Sequence, residues 1–427
     1  MAKIDWYDDF VELNYAPAKD DLICLYYFEP AKGISQNEAA GRIASESSAG
    51  TWTTLHKLPE RVARIKARAF EIKGKFVMVA YPIDLWEPGN VPQLLSGIAG
   101  NIFGMKALRN LKLIDASLPE KYIRSFKGPQ QGIDGIRSLL KVEKRPVTGA
   151  VPKPKIGFSA KEHAEVAFET WMGGFDLVKD DENLTSTSFN RFEDRVERMA
   201  KLRDRAEKET GEQKDALLNI TGETKEMIRK AKLLHDYGWR FAMIDVVTCG
   251  TAAVQTLREE CGDLGLAIHA HRAMHAAFDR NPKHGISMYF LAKIMRLIGV
   301  DEIHVGTAVG KLVGTKKEVV SIADMLRKSY VEEGLHQKWY SIKPVLPVSS
   351  GGLHPGLVPT VMHILGNDCT LLVSGGIHGH PKGTRSGAAA AMQAIEATME
   401  GIDLKEYAVD HKELQQALEK WGYFKPR

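Results

Sequence analysis

Cysteine is scarce in this sequence, and long apolar runs are missing. The chain has four cysteines in 427 residues, and their spacing fits no zinc or redox motif. We therefore expect buried, reduced thiols in a cytoplasmic protein. No apolar run approaches the roughly 18 residues that a membrane span needs. The N-terminal segment MAKIDWYDDF is polar and acidic, without the apolar core of a signal peptide.

A strong charge of either sign is also missing. The formal net charge is +4, with 44% hydrophobic and 26% charged residues, which is ordinary for a globular protein. This balance argues against a dedicated nucleic-acid or membrane-surface protein, although it is compatible with a local basic pocket. The length predicts two domains.

The first 135 residues alternate strand and helix patterns. DLICLYYFEP, KFVMVAYPI and MKALRNLKLIDASL predict strands, whereas SQNEAAGRIASESS and NVPQLLSGIAGN predict helices. This order is typical of a ferredoxin-like α+β domain. The glycines and Pro129 of SFKGPQQGIDGIR indicate a hinge. We therefore predict an N-terminal domain at 1–135 and a second domain at 136–427.

In the second domain, strand-length apolar runs alternate with helical stretches. Eight such βα units favour a closed (β/α)8 TIM barrel, followed by C-terminal helices. The helix predicted for NRFEDRVERMAKLRDRAEKE has an apolar stripe, so we expect its charges to face solvent. The eight runs are VPKPKIGF, FDLVKDDE, LLNITG, FAMIDVVT, LAIHAHRAM, EIHVGTAVG, VLPVSSGG and TLLVSGG.

The stretch GGFDLVKDDENL places a lysine in front of three carboxylates at the end of the second run. Lys179 and Asp181 share one face of a strand, and Glu182 begins the turn. Crowded carboxylates resist ionisation unless a cation binds them, and Mg²⁺ prefers such oxygen ligands. We expect Asp180 to point away and to pair outside the barrel.

Other runs also end in polar or glycine-rich segments, at the barrel end where active sites lie. Taken singly, a lysine at such a position is usually a surface residue, a histidine is usually a hydrogen-bond partner within the structure, and SGG is usually only a turn. We expect His275 to have such a structural role. Five barrel strands that each place such groups at the same rim together indicate a functional site. These groups are Lys153 and Lys155 on one face of the first run, His269, His271 and Arg272 of the fifth, His304 and Lys311 of the sixth, and the turns SSGG and SGG.

The lysine at 179 has a chemical explanation. A neutral amine adds CO₂ to form a carbamate, an anionic oxygen ligand that could bind a divalent cation together with Asp181 and Glu182. Burial beside a cationic cluster favours the neutral amine. The cation would act as a Lewis acid on a carbonyl and a neighbouring hydroxyl and stabilise an enediolate. The two glycine turns suit a substrate with two phosphates.

These motifs resemble the large subunit of ribulose-1,5-bisphosphate carboxylase/oxygenase (RuBisCO) over essentially the whole chain. GGFDLVKDDEN is similar to the family's metal and carbamate motif, VPKPKIG to its first-strand lysine motif, and HAHRAMHA to its fifth-strand motif. HVGTAVGKLVG is similar to its mobile loop, and LPVSSGGLHPG and SGGIHGHP to its phosphate turns. ESSAGTWTT and GNIFGMKAL match in the N-terminal domain.

The resemblance implies a role for each matching residue. Lys179, as a carbamate, would bind Mg²⁺ with Asp181 and Glu182 and take the C3 proton. Lys153, assisted by Lys155, would protonate C2; His271 would transfer a proton near the C3 hydroxyl; Lys311 would stabilise the new carboxylate. Implied substrate contacts are Arg272 and His304 for one phosphate, Ser350 for sugar hydroxyls, and Gly351, Gly352, Ser374, Gly375 and Gly376 with Thr51 and Trp52 for the other phosphate.

The resemblance also implies a homodimer or a higher assembly of dimers. In the family Glu46, Thr51, Trp52 and Asn101 reach the site from the partner subunit. The sequence departs from plant-type members at Val151 and Ser374, where they carry threonine and glycine. GGIHGHPKGTRSGAA and the short C-terminal end resemble the archaeal form III branch. That branch implies nucleotide salvage from AMP and no small subunit.

Three functions remain to be compared. The first is Mg²⁺-dependent carboxylation of ribulose 1,5-bisphosphate to two 3-phosphoglycerates, with O₂ as the side substrate. The second is a RuBisCO-like isomerase that enolises another sugar-like phosphate, which would not need Lys311. The third is a non-catalytic phosphosugar-binding protein. The lysine set and the two-phosphate equipment favour carboxylation.

Overall fold

The structure, a computed structural model, describes residues 1–307, 309 and 315–423. The chain divides into two compact units, and segments from the second half of the sequence belong to the first unit. Unit 1 comprises Met1–Gly128, Met274–Ile298 and Lys328–Ile342, and unit 2 comprises Pro129–Ala273, Gly299–Arg327 and Lys343–Arg427. The domain boundary after residue 135 stays a prediction.

Unit 1 is built on an antiparallel sheet. Its central strand Leu22–Pro30 alternates buried and partly exposed residues, as expected for a strand with one face on a core. The sheet runs in the order Leu108–Ser117, Leu22–Pro30, Phe76–Tyr81, Arg68–Lys73. With the helices Gln36–Glu46 and Val91–Ile98, this is the expected ferredoxin-like α+β arrangement. The edge strand Arg68–Lys73 was not predicted from the sequence.

Smaller elements complete unit 1. Gly285–Ile286 adds a short parallel strand beside Leu108–Ser117. Ser35 begins the helix Gln36–Glu46 by accepting a hydrogen bond from the amide of Glu38, the usual N-cap arrangement. The other strands are Ala2–Ile4, Leu55–Leu58, Tyr330–Val331 and Gln337–Lys338, and the other helices are Asp8–Phe10, Glu60–Ile65, Ile83–Leu85, Asn101–Gly104, Glu120–Ile123, His275–Asp279 and Met288–Ile298.

Unit 2 is the predicted (β/α)8 barrel. Its eight strands are all parallel, and a bridge between Asn219 and Met243 closes the sheet between the third and fourth strands. The barrel strands, named first to eighth in chain order, are Val147–Ala150, Leu177–Lys179, Asp215–Leu217, Phe241–Asp245, Ala267–His271, Glu302–His304, Leu346–Ser350 and Thr370–Leu372.

The first barrel strand lies earlier than expected. VPKPKIGF was predicted as a strand, but the strand is Val147–Ala150 and residues 151–159 form a loop. Lys153 and Lys155 therefore do not share a strand face. The prediction was wrong because the short run VTGA has few apolar residues, whereas two prolines interrupt the stretch read as a strand.

Most helices of unit 2 follow a barrel strand along the chain, and Gly132–Leu140 precedes the first one. The predicted charged helix is Phe192–Thr210, but its charges are not all solvated, because Arg195 is 0% exposed and Arg203 is also buried. The other helices are Gly132–Leu140, Ala160–Met172, Thr224–Asp236, Val246–Cys249, Thr251–Asp263, Lys316–Arg327, Pro355–Leu357, Val358–Leu365, Gly375–His378, Thr384–Glu400, Leu404–Tyr407 and Lys412–Trp421.

One end of the barrel is closed by an apolar cluster. Ile133 and Ile136, on the helix Gly132–Leu140, pack with the first residues of several barrel strands, among them Val147, Leu177 and Phe241. These are the amino ends of the strands, so the carboxyl ends remain for a site. Within the described residues, no helix has both the length and the apolar character needed to cross a membrane.

Candidate active site

A cavity of about 490 Å³ lies at the carboxyl ends of the barrel strands. Because the strands are parallel, side chains that follow different strands meet at this one rim. Its lining residues are Val151, Lys153, Lys155, Lys179, Asp181, Glu182, His271, His304, Ser350, Gly351, Gly352, Leu372, Ser374 and Gly375. The structure thus brings together most of the barrel residues predicted for the site.

Lys179 is the last residue of the second barrel strand and is only 1% exposed. Its Nζ donates a hydrogen bond of 2.8 Å to the carbonyl oxygen of Asp180. Burial lowers the pKa of the Lys179 amine, even though Glu182 and Asp181 act in the opposite direction. The cause is desolvation, which penalises an ammonium ion away from water. A neutral amine is therefore more accessible here than at a surface lysine.

Two further lysines face the carboxylates that follow Lys179. The Lys153 Nζ lies 3.3 Å from Asp181 Oδ2, and the Lys155 Nζ lies 3.5 Å from both Asp181 Oδ1 and Glu182 Oε1. Burial alone would raise the pKa of Asp181, but a hydrogen bond with Glu182 and the charge of Lys153 lower it overall. Asp181 is therefore a carboxylate at neutral pH.

A buried ion pair supports this acidic turn from behind. As expected, Asp180 points away from the cavity, and its Oδ2 accepts hydrogen bonds from Arg195 Nε (3.1 Å) and from the amide of Asn219 (2.9 Å). The Asn219 side chain in turn donates to the carbonyl oxygens of Asp181 (3.3 Å) and Glu182 (3.2 Å). The backbone of the turn is therefore held by the second and third strands together.

His271 ends the fifth strand and pairs with an aspartate that the sequence reasoning missed. Its Nδ1 lies 2.9 Å from Asp245 Oδ1, and its Nε2 lies 3.9 Å from Glu182 Oε2. The amide of Ala273 is 3.2 Å from Nδ1, but Nδ1 also faces a carboxylate oxygen at the shorter distance, so we assign the proton to Nδ1. Burial lowers the pKa of His271 to about 4. The ring is neutral, and Nε2 is free to accept a proton.

His304, which ends the sixth strand, belongs to a buried series of hydrogen bonds. Its Nε2 lies 3.0 Å from His269 Nε2, and its Nδ1 lies 2.7 Å from Ser350 Oγ. His269 Nδ1 lies 2.7 Å from Glu302 Oε1. Arg272 lies close to Gly306, two residues after His304, because a Cβ added to Gly306 would be 3.3 Å from Arg272 Nη2.

Glycine is required by geometry in both predicted phosphate turns. Gly351 and Gly352 have φ of 112° and 77°, which favour glycine. A Cβ on Gly376 would lie 2.4 Å from the Leu353 carbonyl oxygen. The two departures from plant-type sequences meet here, because the Val151 amide donates a 3.0 Å hydrogen bond to Ser374 Oγ. Ser374 thereby joins the loop after the first strand to the end of the eighth.

The predicted residues of unit 1 are exposed or half-buried. Asn101 Nδ2 donates to Glu46 Oε1 at 3.4 Å. Trp52 is 78% exposed, which is unusual for a large aromatic side chain, and Thr51 is half-buried. His275 bonds to Asp279 at 3.0 Å, in line with its structural assignment. Lys311 lies outside the described residues.

Sequence reasoning missed three residues that position the site: Asp245, Glu302 and Asn219. Asp245 and Asn219 could have been found by the rule that found Lys179, because Asp245 is the last residue of a barrel strand and Asn219 lies two residues after one. Glu302 is the first residue of its strand. Its position alone gives no signal, because polar residues at the amino end of a barrel strand usually serve stability.

Comparison with known proteins agrees with this geometry. The family model for the ribulose bisphosphate carboxylase large chain matches residues 132–421 with its catalytic domain and 9–122 with its N-terminal domain. The chain belongs to this family. Its curated relatives include the ribulose bisphosphate carboxylase of Pyrococcus abyssi, 54% identical over 100% of this chain and 99% of that protein. That of Methanosarcina barkeri is 50% identical over 97% of this chain and 99% of that protein.

Solved structures of archaeal RuBisCO have the same fold. The octameric enzyme of Pyrococcus horikoshii is 53% identical, with a TM-score of 0.93 over 98% of this chain and 97% of that one. The dimeric enzyme of Hyperthermus butylicus is 49% identical, with a TM-score of 0.94 over 98% and 100%. The expected RuBisCO family and fold class are confirmed, and this chain is an enzyme of the carboxylase family.

Proposed function

We propose that this enzyme carboxylates D-ribulose 1,5-bisphosphate with CO₂ and water to give two molecules of 3-phosphoglycerate, with O₂ as a competing substrate. The archaeal branch that the sequence resembles leads us to propose also a role in nucleotide salvage from AMP and an assembly of dimers without a small subunit.

The observation that carries the proposal is the environment of Lys179. A buried amine at the end of a barrel strand, next to two carboxylates and facing a cavity, fits conversion into a carbamate. In that reaction the neutral amine attacks CO₂, a C–N bond forms, and one proton is released to solvent. The product is an anion, so the lysine becomes an oxygen donor like its neighbours.

The donor set fits a hard divalent cation. Asp181 and Glu182 supply two carboxylates at the cavity, and the Lys179 carbamate would supply a third oxygen ligand beside them. Oxygen ligands of this kind suit Mg²⁺. When bound, the cation supplies Lewis-acid stabilisation of the enediolate.

The other side chains of the cavity would move protons and orient the sugar. Lys153, with its Nζ at the acidic turn, would hold the proton for C2, and Lys155 would support it electrostatically. His271, neutral and held by Asp245, would accept a proton near the C3 hydroxyl. Lys311 is proposed to stabilise the carboxylate formed from CO₂.

Two groups of residues are proposed for the two phosphates. Arg272 with His304 would bind one, and Ser350 would contact sugar hydroxyls. The backbone N–H groups of glycine turns are common phosphate ligands, and the turn residues Gly351, Gly352, Ser374, Gly375 and Gly376 would bind the other phosphate. Thr51, Trp52, Glu46 and Asn101 are proposed to complete the site from the partner subunit.

A labelling experiment tests the proposal. The protein is incubated with bicarbonate and Mg²⁺, then given ribulose 1,5-bisphosphate with ¹⁴C-bicarbonate, and 3-phosphoglycerate is analysed for label. Labelled product is expected. Enolised substrate without labelled product would contradict carboxylation and favour the isomerase.

Two lysine variants make the test specific to Lys179. Lys179→Arg cannot form the carbamate and should lose labelled product by at least about 100-fold, a typical loss for a group essential to the chemistry. Lys214 is a matched control, because it is also fully buried in unit 2 but donates to the Phe175 carbonyl oxygen (3.0 Å) and does not line the cavity. Lys214→Arg that remains folded should keep its activity.

A further inference from the structure

Three buried hydroxyl groups in unit 1 form a continuous series of hydrogen bonds. Tyr26 Oη lies 3.2 Å from Tyr81 Oη, and Tyr81 Oη lies 2.9 Å from Ser47 Oγ. Both tyrosines are 0% exposed, and Ser47 is also buried. We call these three groups the hydroxyl series. Because it lies inside unit 1, a hydroxyl that loses its partner there is not compensated by bulk water.

Each end of the hydroxyl series is bound to the last turn of a helix. Tyr26 Oη donates a hydrogen bond of 2.7 Å to the carbonyl oxygen of Ile98, the last residue of its helix. Ser47 Oγ donates a hydrogen bond of 2.6 Å to the carbonyl oxygen of Ile43, in the last turn of the helix Gln36–Glu46. The series therefore connects the carboxyl ends of two helices that are far apart in the sequence.

The position of each proton follows from what each group can accept. A carbonyl oxygen only accepts, so the protons of Tyr26 and Ser47 are used at the two helix ends. The Tyr81 proton is the remaining one, and the oxygens of Ser47 and Tyr26 are both left as acceptors for it. Burial raises the pKa of both phenols, so Tyr81 keeps this proton at neutral pH. One proton thus serves both contacts, and Tyr81 is the link between the two helix ends.

Glu46 and Asn101 lie at these two helix ends. Glu46 is the last residue of its helix and directly precedes Ser47, and Asn101 lies three positions after Ile98. Both side chains are exposed, and Asn101 Nδ2 lies 3.4 Å from Glu46 Oε1, near the upper limit for a hydrogen bond. Their spacing therefore depends mainly on the backbone of the two helix ends, which the hydroxyl series connects.

We infer that Tyr81 is a positioning residue that sets the spacing of Glu46 and Asn101 for the active site of the partner subunit. The inference rests on the proposed function, in which these two side chains help to complete that site, and deepens it. Tyr81 does not meet the substrate, because it is completely buried in unit 1. It acts by holding together the two helix ends next to which Glu46 and Asn101 lie.

The substitution Tyr81→Phe removes the link and leaves the hydrogen bonds at both helix ends in place. Tyr26 still donates to the Ile98 carbonyl oxygen, and Ser47 still donates to that of Ile43. Neither carbonyl group becomes unpaired, so the variant should fold. In the homodimer, kcat/KM for ribulose 1,5-bisphosphate should fall at least about fivefold, the usual effect of one hydrogen bond. An unchanged kcat/KM would overturn the inference.

The substitution Tyr122→Phe is the matched control. Tyr122 is also buried in unit 1, and it donates to the carbonyl oxygen of Asn90 at 3.0 Å. Asn90 directly precedes the helix that ends at Ile98, so the control removes a hydrogen bond at the opposite end of the same helix. Its kcat/KM should stay within about twofold, because the groups that orient the substrate are not displaced. An equal loss in both variants would refute a specific role of Tyr81.

Hybrid dimers distinguish positioning from a general loss of stability. Two kinds of hybrid contain the same substitutions, one Tyr81→Phe and one Lys153→Met, and each is isolated with a different affinity tag on its two subunits. In the first kind the substitutions are on different subunits, so the subunit with Lys153 receives Glu46 from a subunit with an intact Tyr81. In the second kind both are on one subunit, so the subunit with Lys153 receives Glu46 from the Tyr81→Phe chain.

The second kind of hybrid should show the loss of kcat/KM, again at least about fivefold, whereas the first kind should match a hybrid that carries Lys153→Met alone. Equal values in the two kinds, or a loss in the first kind alone, would contradict the inference. If Tyr81→Phe does not fold, Ser47→Ala removes the same link from its other side and is tested in the same pairings.

Crystal structures of the full-length protein with and without Tyr81→Phe give a test that does not depend on activity. In the variant the distance from Asn101 Nδ2 to Glu46 Oε1 should exceed about 4 Å, too long for a hydrogen bond, or the two side chains should adopt more than one conformation. The same single arrangement in both structures would overturn the inference. This comparison judges the role of Tyr81 even if the unsubstituted protein gives no labelled 3-phosphoglycerate, a result that would refute the proposed function instead.

Discussion

Asp180→Asn is expected to loosen the acidic turn of the site without touching a residue that lines the cavity. Asp180 is 0% exposed and is paired with Arg195, which is also 0% exposed. The substitution removes the negative charge and leaves a buried guanidinium without its counter-ion. Because Asn219 bonds to both Asp180 and the turn, the effect should reach Asp181 and Glu182.

The magnitude follows from the contacts that are lost. Removing one partner of a buried ion pair costs about 3–5 kcal/mol. Asparagine keeps one oxygen for the Asn219 amide, so the lower end, about 3 kcal/mol, is expected. Burial alone would raise the pKa of Asp180, but Arg195 and His163 lower it overall. The ionised Asp180 therefore contributes its full share to the free energy of unfolding at any pH above the ordinary aspartate pKa, about 4. This contribution is lost as the pH falls through the lower pKa that Asp180 has in the folded protein.

Native-state hydrogen exchange followed by mass spectrometry measures this locally. A loss of about 3 kcal/mol in local stability corresponds to roughly 100-fold faster amide exchange, provided that the opened segment closes again faster than its amides exchange. The increase is expected in peptides that contain residues 177–184 and 215–221. Asp194→Asn is the matched control, since Asp194 is exposed on the same helix as Arg195. Equal exchange in the two variants would refute the reasoning.

Two further predictions concern the dimer and the thiols. The variants Trp52→Ala and Lys153→Met should each be inactive when expressed alone. When the two are co-expressed, half of the randomly formed dimers should contain one subunit of each kind, and in these one of the two sites has both Lys153 and the partner's tryptophan, so about a quarter of the activity should return. No recovery would mean that Trp52 does not act across subunits. Cys261 and Cys369 should not react with iodoacetamide at pH 7.5 in the folded protein, since burial raises the pKa of both thiols to about 12. Labelling is followed by mass spectrometry, and rapid labelling of either cysteine without unfolding would contradict this prediction.

The sequence was sufficient for the fold class, because alternation of apolar runs with helical patterns is a local property of the chain. It also located part of the candidate site, since Lys179, Asp181 and Glu182 line the cavity and are almost adjacent in the sequence, so their crowding can be recognised without coordinates. The first barrel strand was misplaced, because the four residues of VTGA are too few and too little apolar to form a pattern.

Only the tertiary structure decided which distant residues meet. Asp245 and His271 are 26 positions apart, and Glu302 lies 33 positions from His269; their pairing depends on neighbouring parallel strands bringing the side chains together. The burial of Lys179, Asp180 and Arg195 is likewise a property of the closed barrel. A sequence states which charges exist, but the energy of a charge depends on the water and partners around it, and folding alone determines those.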